Sequence, residues 1–207
     1  AGLSDLADDD FSPTYLRNAT AYGSSPRLRA DIVVNNLTGT AFTQGAVRLQ
    51  SDGSPWRPLV HVEDIARAFA AVLDAPRETV HDQAFNVGRD EDVVQIRTVA
   101  EQVSEVTGAP VTFAAGAGPD ARNYQVDFTK IGRLLPAFRP QWTTRQGIEE
   151  IWADAQERGL SCALRRRRSP TRAPAMSSSA PCRAKCSAWS KPMAATTRPR
   201  RPTWPRA

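Results

Sequence analysis

A short apolar run passes directly into a helical pattern near the middle of the chain, and this junction constrains the fold most. The run from Leu59 to Val62 predicts a strand, and Glu63 and Asp64 follow it at once. Acidic residues are favoured in the first turn of a helix by the helix dipole. The helical spacing then places four apolar residues on one predicted inward face, and Pro76 ends the helix: Ile65, Phe69, Val72 and Leu73.

The same alternation of strand and helix recurs along residues 1–162. Strands are predicted at 14–17, 46–50, 57–62, 83–88 and 110–114, and helices at 28–42, 63–75, 96–107, 128–135 and 144–158. This order indicates an α/β fold with parallel strands. Long central strands rich in Val and Ile, which a doubly wound sheet should contain, do not occur. The body therefore resembles the second half of a larger sheet.

The charge of the chain is divided between two regions. All 207 residues carry 27 Lys and Arg against 22 Asp and Glu, but residues 163–207 hold 12 of the basic residues and no acidic one. Residues 1–162 are therefore an acidic body, and the remainder is a basic tail rich in Arg, Pro, Ala and Ser. Such a tail cannot bury enough apolar surface to offset its conformational entropy, so we predict disorder there.

Three explanations remain open for the tail. A basic arm that binds nucleic acid or a membrane would have this charge, and a natural tail without a partner would have this composition. A shifted reading frame would produce the same acid-free text from a GC-rich gene. The abrupt change after Cys162 favours the shifted frame, which leaves nucleic acid as the less favoured partner.

Several classes of site lack a signature in the sequence. The chain contains two histidines, and its three cysteines lie at 162, 182 and 186, which predicts neither a metal site nor a disulfide framework. The run GAGPD at 116–120 lacks the third glycine of a dinucleotide-binding turn. No apolar run is long enough to cross a membrane, and the acidic start is unlike a secretory signal. We expect a cytoplasmic protein.

Polar residues follow several predicted strands. In open α/β sheets, ligands bind beyond the carboxyl ends of the strands, so these residues could share a cleft. Two arginines that converge there would suit a diphosphate, because the guanidinium fork matches phosphate oxygens. The candidates at strand ends or beside strands are Asn18, Thr20, Arg57, Asn86 and Arg122.

Four segments together resemble one family. In order and spacing, YLRNATAYG, WRPLVHVEDIARAF, AFNVG and DARNYQVDFTKI…QWTTRQGIEEI are similar to the C-terminal half of the extended short-chain dehydrogenase/reductases. These are the NAD-dependent epimerases and dehydratases that act on nucleotide sugars. The resemblance implies the last strands of a Rossmann-type, doubly wound sheet, together with a small substrate-binding α/β subdomain, within residues 1–162.

The resemblance also implies roles for particular residues. Arg57 would reach a phosphate of the nucleotide, and Arg122 would be the second phosphate-binding arginine. The loop of Asn18, Ala19 and Thr20 would lie beside the nicotinamide of NAD or NADP, with Thr20 also near the sugar. Asn35, Asn36 and Asn86 would border the substrate, His61 would be structural, and Asp64 would hydrogen-bond nearby backbone. An intact enzyme of this kind could be a homodimer.

The catalytic signatures of the family are missing from the sequence. In relatives, a tyrosine whose pKa is lowered by the lysine of a Tyr-x3-Lys pair removes the proton of a sugar hydroxyl. The residues four places after Tyr15, Tyr22 and Tyr124 are alanine, proline and phenylalanine. We therefore expect the C-terminal portion of an NAD(P)-dependent nucleotide-sugar epimerase or dehydratase, without turnover and with no catalytic residue of its own. The alternatives are a non-catalytic module that binds nucleotide diphosphates and a nucleic-acid binder acting through the tail.

Overall fold

The structure is a computed structural model that describes residues 2–118 and 122–159. The basic region 163–207 and the three cysteines lie outside the described residues, so the predictions about them stay predictions. The described part contains seven strands of three to six residues and six α-helices. The strands are β1 (Thr14–Asn18), β2 (Thr20–Tyr22), β3 (Val47–Leu49), β4 (Trp56–His61), β5 (Gln83–Val87), β6 (Val93–Gln95) and β7 (Val111–Phe113).

The helices occupy the stretches between and after these strands. They are α1 (Val33–Gln44), α2 (Val62–Asp74), α3 (Arg77–Val80), α4 (Ile96–Thr107), α5 (Thr129–Leu134) and α6 (Thr144–Arg158). Short 3-10 turns lie at Ser4–Leu6 and Asp90–Asp92. The predicted alternation of strands and helices is confirmed, and α6 has the predicted bounds.

The strands form small sheets in which parallel pairing dominates. β1 pairs with β5, β2 with β4, and β3 with β7, all in parallel, and β6 joins the other edge of β4 in the antiparallel sense. Parallel pairs need helical crossovers, which the intervening helices provide. An α/β fold with parallel strands is thus confirmed. The described strands form three separate sheets, of two, three and two strands, in place of one wide sheet.

Strand β4 separates two hydrophobic cores. Leu59 lies in a core built mainly from α1, α4 and α6, whereas its neighbour Val60 lies in a second core with α2, α5 and β5. Successive side chains of a strand point to opposite faces, so one strand supplies both cores. Arg57 and His61 share the face of Leu59 and therefore point toward the α1 side.

The limits of α1 and α6 follow from local chemistry. The Thr143 side chain and Gln146 form a capping box at the start of α6, which satisfies backbone N–H groups that a helix start leaves open. Helix α1 begins at Val33, five residues later than predicted, and ends at Gly45 in the left-handed conformation. Residues 26–32 form turns, so residues 28–32, which the loose apolar spacing had assigned to the helix, lie in this loop.

The predicted inward face of α2 is confirmed for Ile65 and Val72, which pack against the second core, and is wrong for Phe69 and Leu73. Phe69 is 53% exposed and Leu73 is 82% exposed, and Ile65 and Val72 are only half-buried. The buried positions are Asp64, Ala68 and Ala71, which follow one another at helical spacing. Small side chains on this face let the helix lie close to the strands, and the carboxylate of Asp64 has partners there.

Asp64 and His61 join α2 to the C-terminal part of the described chain. The two carboxylate oxygens of Asp64 accept hydrogen bonds from the backbone N–H groups of Gln141 (2.9 Å) and Trp142 (3.0 Å), which confirms the predicted role of Asp64. His61 is 1% exposed and stacks on the indole of Trp142 with ring centroids 3.9 Å apart. Its Nδ1 accepts from the N–H of Glu63, so it caps α2. These contacts agree with a structural role for His61.

Glycines allow two close approaches to this region. Gly23 has φ of 121°, and a Cβ atom there would lie 2.4 Å from Nε2 of His61. A Cβ atom on Gly147, in α6, would lie 2.3 Å from the ring of Tyr22. Both positions exclude a side chain, because real Cβ atoms do not approach heavy atoms so closely.

Candidate functional site

A cleft of about 750 Å³ opens on the α1 side of β4. Its walls come from the loop before α1, the first turns of α1, strand β3 and the start of β4, together with Gly116, Gly118, Arg122 and Tyr124. Of the residues predicted from sequence to bind a ligand, four line this cleft: Thr20, Asn36, Arg57 and Arg122. The volume is in the range of cavities that hold small molecules.

Arg57 is buried, at 8% exposure, and still reaches the cleft. Its Nη1 donates to the carbonyl of Trp56 at 2.8 Å and to the carbonyl of Arg122. The guanidinium also lies over the ring of Tyr124, 5.5 Å from the ring centroid, which is within cation–π range. The side chain is therefore held by neutral groups on two sides at the edge of the cleft.

The other predicted residues in the cleft come from separate elements. Thr20 opens β2 and pairs with Leu59 of β4, so it lies one strand away from Arg57. Asn36 lies in the first turns of α1, where its Nδ2 donates to the carbonyl of Ala30 at 2.9 Å. Arg122 lies in the segment that returns past the start of β4.

The remaining predicted residues are not among the described residues that line the cleft. Asn35 is 3% exposed; its Oδ1 accepts from the N–H of Gly23 and its Nδ2 donates to the carbonyl of Arg29. The amide of Asn35 is thus engaged in the loop before α1, which explains why it does not reach the cleft although its neighbour Asn36 does.

Asn18, Ala19 and Asn86 lie together at the carboxyl ends of β1 and β5. Asn18 pairs with Val87 and is exposed, and the N–H of Ala19 donates to the carbonyl of Val87 at 3.0 Å. Asn86 donates from Nδ2 to the carbonyl of Asp127 at 3.1 Å. None of these three residues is among the described residues that line the cleft, whereas Thr20 of the same predicted loop is.

Sequence reasoning missed three residues that the fold brings to the cleft: Arg29, Arg48 and Tyr124. Arg48 is exposed between the buried Val47 and Leu49, so the alternation along β3 could have indicated that it points away from the core. No local signal marks Arg29, which arrives through the loop before α1. Tyr124 follows Arg122 by two residues, and only its packing against Arg57 identifies it.

The described lining of the cleft carries excess positive charge. It contains four arginines (Arg29, Arg48, Arg57 and Arg122) and a single acidic residue, Asp31, which forms an ion pair with Arg29 at 2.8 Å. Apolar side chains line part of the walls, namely Ile32, Val33, Leu37, Leu49 and Ile96. A cleft with these two kinds of wall suits a ligand that joins anionic groups to a less polar portion.

Metal binding and membrane insertion find no support in the described residues. Within 2–118 and 122–159, no three His, Cys, Asp or Glu side chains gather in a way that could hold a metal ion. The helices of the described part are all too short or too polar to span a bilayer.

Comparison with known families gives one match. Residues 5–88 match the NAD dependent epimerase/dehydratase family. This stretch runs from the first 3-10 turn through β5 and includes Thr20, Asn36 and Arg57. Arg122 lies beyond it.

Solved structures share the fold over a longer part of the chain. UDP-glucuronic acid 4-epimerase from Bacillus cereus, in complex with UDP-glucuronic acid and NAD, is 22% identical, with a TM-score of 0.58 over 69% of this chain and 44% of that one. An epimerase from Methanothermobacter thermautotrophicus is 25% identical, with a TM-score of 0.61 over 72% of this chain and 44% of that one.

A third similar structure is UDP-glucose 4-epimerase from Thermotoga maritima with UDP-glucose, at 21% identity. Its TM-score is 0.59 over 72% of this chain and 47% of that one. The present chain thus spans less than half the length of each of these solved structures. The described part therefore shares an α/β fold with part of these Rossmann-type structures, and NAD is bound in the Bacillus cereus complex.

Proposed function

We propose that this chain provides the nucleotide-sugar-binding portion of an NAD(P)-dependent epimerase or dehydratase. The observation that carries the proposal is the convergence of Arg57 and Arg122 on one cleft with Thr20 and Asn36. The family match over 5–88 and the similarity to structures that hold UDP-sugars support it.

The charge of the cleft favours a diphosphate as the group that is bound. A guanidinium presents several N–H donors in a plane and keeps its charge at all relevant pH values, so two of them can share the oxygens of a pyrophosphate. Arg57 is nearly buried, and a charge–anion contact is worth more in such a place than in bulk water. The apolar walls at Leu37, Leu49 and Ile96 could then accept the nucleoside.

The described residues do not by themselves form a site for NAD(P). Asn18 and Ala19, at the ends of β1 and β5, offer at most one border of a nicotinamide pocket. A dinucleotide also needs a glycine-rich turn at the start of a helix, where backbone N–H groups hold the pyrophosphate. Gly116 and Gly118 follow β7 in a turn, and α5 begins only at Thr129, so they do not make such a turn.

Binding of a nucleoside diphosphate tests the proposal directly. We expect UDP or TDP to bind the 207-residue chain, as measured by isothermal titration calorimetry at low salt. Arg57→Ala should weaken binding by about ten- to hundredfold, the usual effect of losing a charge-assisted contact. Arg122→Ala should also weaken binding, and the affinity of the wild-type chain should fall as salt is raised.

A matched control is an arginine that lies outside the cleft. Arg145 of α6 is surface-exposed and forms ion pairs with Glu105 and Glu149. We expect Arg145→Ala to bind UDP and TDP like the wild type. Absence of binding by the wild type, or equal losses in Arg57→Ala and Arg145→Ala, would refute the proposal.

A turnover assay distinguishes between two hypotheses, a portion of an enzyme and a non-catalytic binding module. We expect the 207-residue chain to bind but not to convert a nucleotide sugar in the presence of NAD, because its sequence has no Tyr-x3-Lys pair to move the hydroxyl proton. Steady conversion would contradict this. The same assay can be repeated after the part of a related enzyme that carries the Tyr-x3-Lys pair is added to the chain. If there is still no conversion, a non-catalytic nucleotide-diphosphate module becomes the better description.

A further inference from the structure

Residues 122–124, which we call the strap, are attached to the start of β4 by three contacts. The Oδ1 of Asn123 accepts a hydrogen bond from the N–H of Trp56 at 3.0 Å. The carbonyl of Arg122 accepts from Nη1 of Arg57, and the ring of Tyr124 lies 5.5 Å from the guanidinium of Arg57. The strap therefore contacts both the backbone of β4 and the side chain that β4 presents to the cleft.

These contacts link the two arginines that line the cleft. Arg122 belongs to the strap, and Arg57 belongs to β4, so their separation depends on how firmly the strap is attached. The contacts just described are made by an amide, a carbonyl and an aromatic ring. The carbonyl and the ring orient the guanidinium of Arg57, and the amide holds the backbone of Trp56 next to it.

We propose that Asn123 and Tyr124 are positioning residues that hold Arg57 and Arg122 at a fixed spacing for a diphosphate. This inference rests on the proposed function. A flexible guanidinium loses rotamer freedom when an anion binds, and a side chain that is already held loses less. The strap thus raises affinity by preparing the site, although neither Asn123 nor the hydroxyl of Tyr124 has to touch the ligand.

The two residues act through different contacts and can be tested separately. Asn123→Ala removes the acceptor for Trp56, and Tyr124→Leu removes the aromatic face under Arg57 while keeping an apolar side chain. Tyr124→Phe keeps the ring and removes only the hydroxyl, and Arg145→Ala, outside the cleft, is the control. The probe is inorganic pyrophosphate, which reports on the arginines without any contribution from a base or sugar, and UDP is the second probe.

We expect the affinity for pyrophosphate to fall about three- to tenfold in Asn123→Ala and about two- to fivefold in Tyr124→Leu, with a smaller fall in Tyr124→Phe and none in Arg145→Ala. The melting temperatures should stay near that of the wild type. In Asn123→Ala, hydrogen exchange of the Trp56 amide should become faster, since its acceptor is gone.

The outcomes distinguish this inference from the proposed function. If the wild type does not bind pyrophosphate or UDP, or if Arg57→Ala binds them equally well, the proposed function fails. If Arg57→Ala loses binding but Asn123→Ala and Tyr124→Leu retain it, the proposed function stands and the positioning role is overturned. A loss of the cooperative melt in both variants would assign the strap to fold stability and would also overturn the positioning role.

Discussion

Leu59 and Val60 are neighbours in β4, yet each is buried in a different hydrophobic core. Leu59 is 0% exposed among residues of α1, α4 and α6, and Val60 is 3% exposed among residues of α2, α5 and β5. The strand that carries Arg57 is therefore the wall between the two cores. Its backbone position is fixed from both sides, which suits a strand that presents a charged group to a cleft.

The shared strand predicts that both cores unfold together. Leu59→Ala should lower the free energy of unfolding by about 2–5 kcal/mol, and Val60→Ala by about 1–3 kcal/mol. In each variant, hydrogen exchange should accelerate equally at amides of the two cores, for instance at Leu37 and Phe85. Acceleration confined to the core that holds the substitution would show two independent folding units.

The contact between Gly147 and Tyr22 predicts opposite effects for two glycine substitutions in helices. Gly147→Ala should destabilise the fold by about 1–3 kcal/mol, because the new Cβ would meet the ring of Tyr22 at 2.3 Å. Gly132→Ala, in α5, has no atom within 4 Å of the new Cβ and should stabilise by up to about 1 kcal/mol through helix propensity. Urea unfolding measures both. A stabilising Gly147→Ala would show that the ring of Tyr22 moves away freely.

Asp64 should contribute far more to stability than the adjacent Glu63. Asp64→Ala leaves the backbone N–H groups of Gln141 and Trp142 without their acceptors, which should cost about 2–4 kcal/mol. Glu63 contacts Arg67 and the indole of Trp142 at the surface, so Glu63→Ala should cost under about 1 kcal/mol. Thermal unfolding of the two variants compares them, and equal losses would contradict the assignment.

Asp92 should make stability depend on pH in the acidic range. Burial raises the pKa of its carboxyl above 3.8, although Thr144 donates to it and the guanidinium of Arg89 lies nearby. The Nε of Arg89 is 2.9 Å from Oδ2, within ion-pair range but without hydrogen-bond alignment. Burial of the charged carboxylate thus raises the pKa of Asp92 more than Thr144 and Arg89 lower it.

The sign of the effect follows from the raised pKa in the folded state. The folded chain holds this proton more tightly than the unfolded chain, so the stabilisation is complete below pH 3.8 and is lost as pH rises through the raised pKa. Asp92→Asn removes this dependence. The difference in the free energy of unfolding, variant minus wild type, should therefore increase with pH across that window and then level off. A difference that falls with pH would refute the assignment.

The sequence was sufficient where the determining interactions are local. The bounds of α6 follow from a helical apolar pattern that begins at a Thr143–Gln146 capping box and ends at Gly159. Arg57 was singled out because it leads into a strand that turns into a helix and because this segment resembles a known family. It lies at the amino end of β4, whereas the general rule for α/β ligand sites concerns the carboxyl ends of strands.

Prediction from the sequence was wrong or undecided where two arrangements had equal support from the local sequence. Helix α2 has two faces that could be buried, a large apolar one and a smaller one with Asp64, Ala68 and Ala71. Periodicity favours the former, whereas the structure buries the latter and packs only Ile65 and Val72 of the predicted face beside it. On the buried face, the carboxylate of Asp64 accepts from the amides of Gln141 and Trp142. Asn35 and Asn36 are adjacent in the same helix, and only the packing of the preceding loop decides which one faces the cleft.

Local sequence signals were enough for five of the seven strands and five of the six α-helices in the described residues, and for the parallel α/β class, because periodicity and capping act over a few residues. Long-range packing was needed to bring Arg29, Arg48 and Tyr124 to the cleft with Arg57 and Arg122, and to place β4 between two cores. These facts depend on contacts between residues that are distant in the chain, and such contacts are set by how whole elements pack.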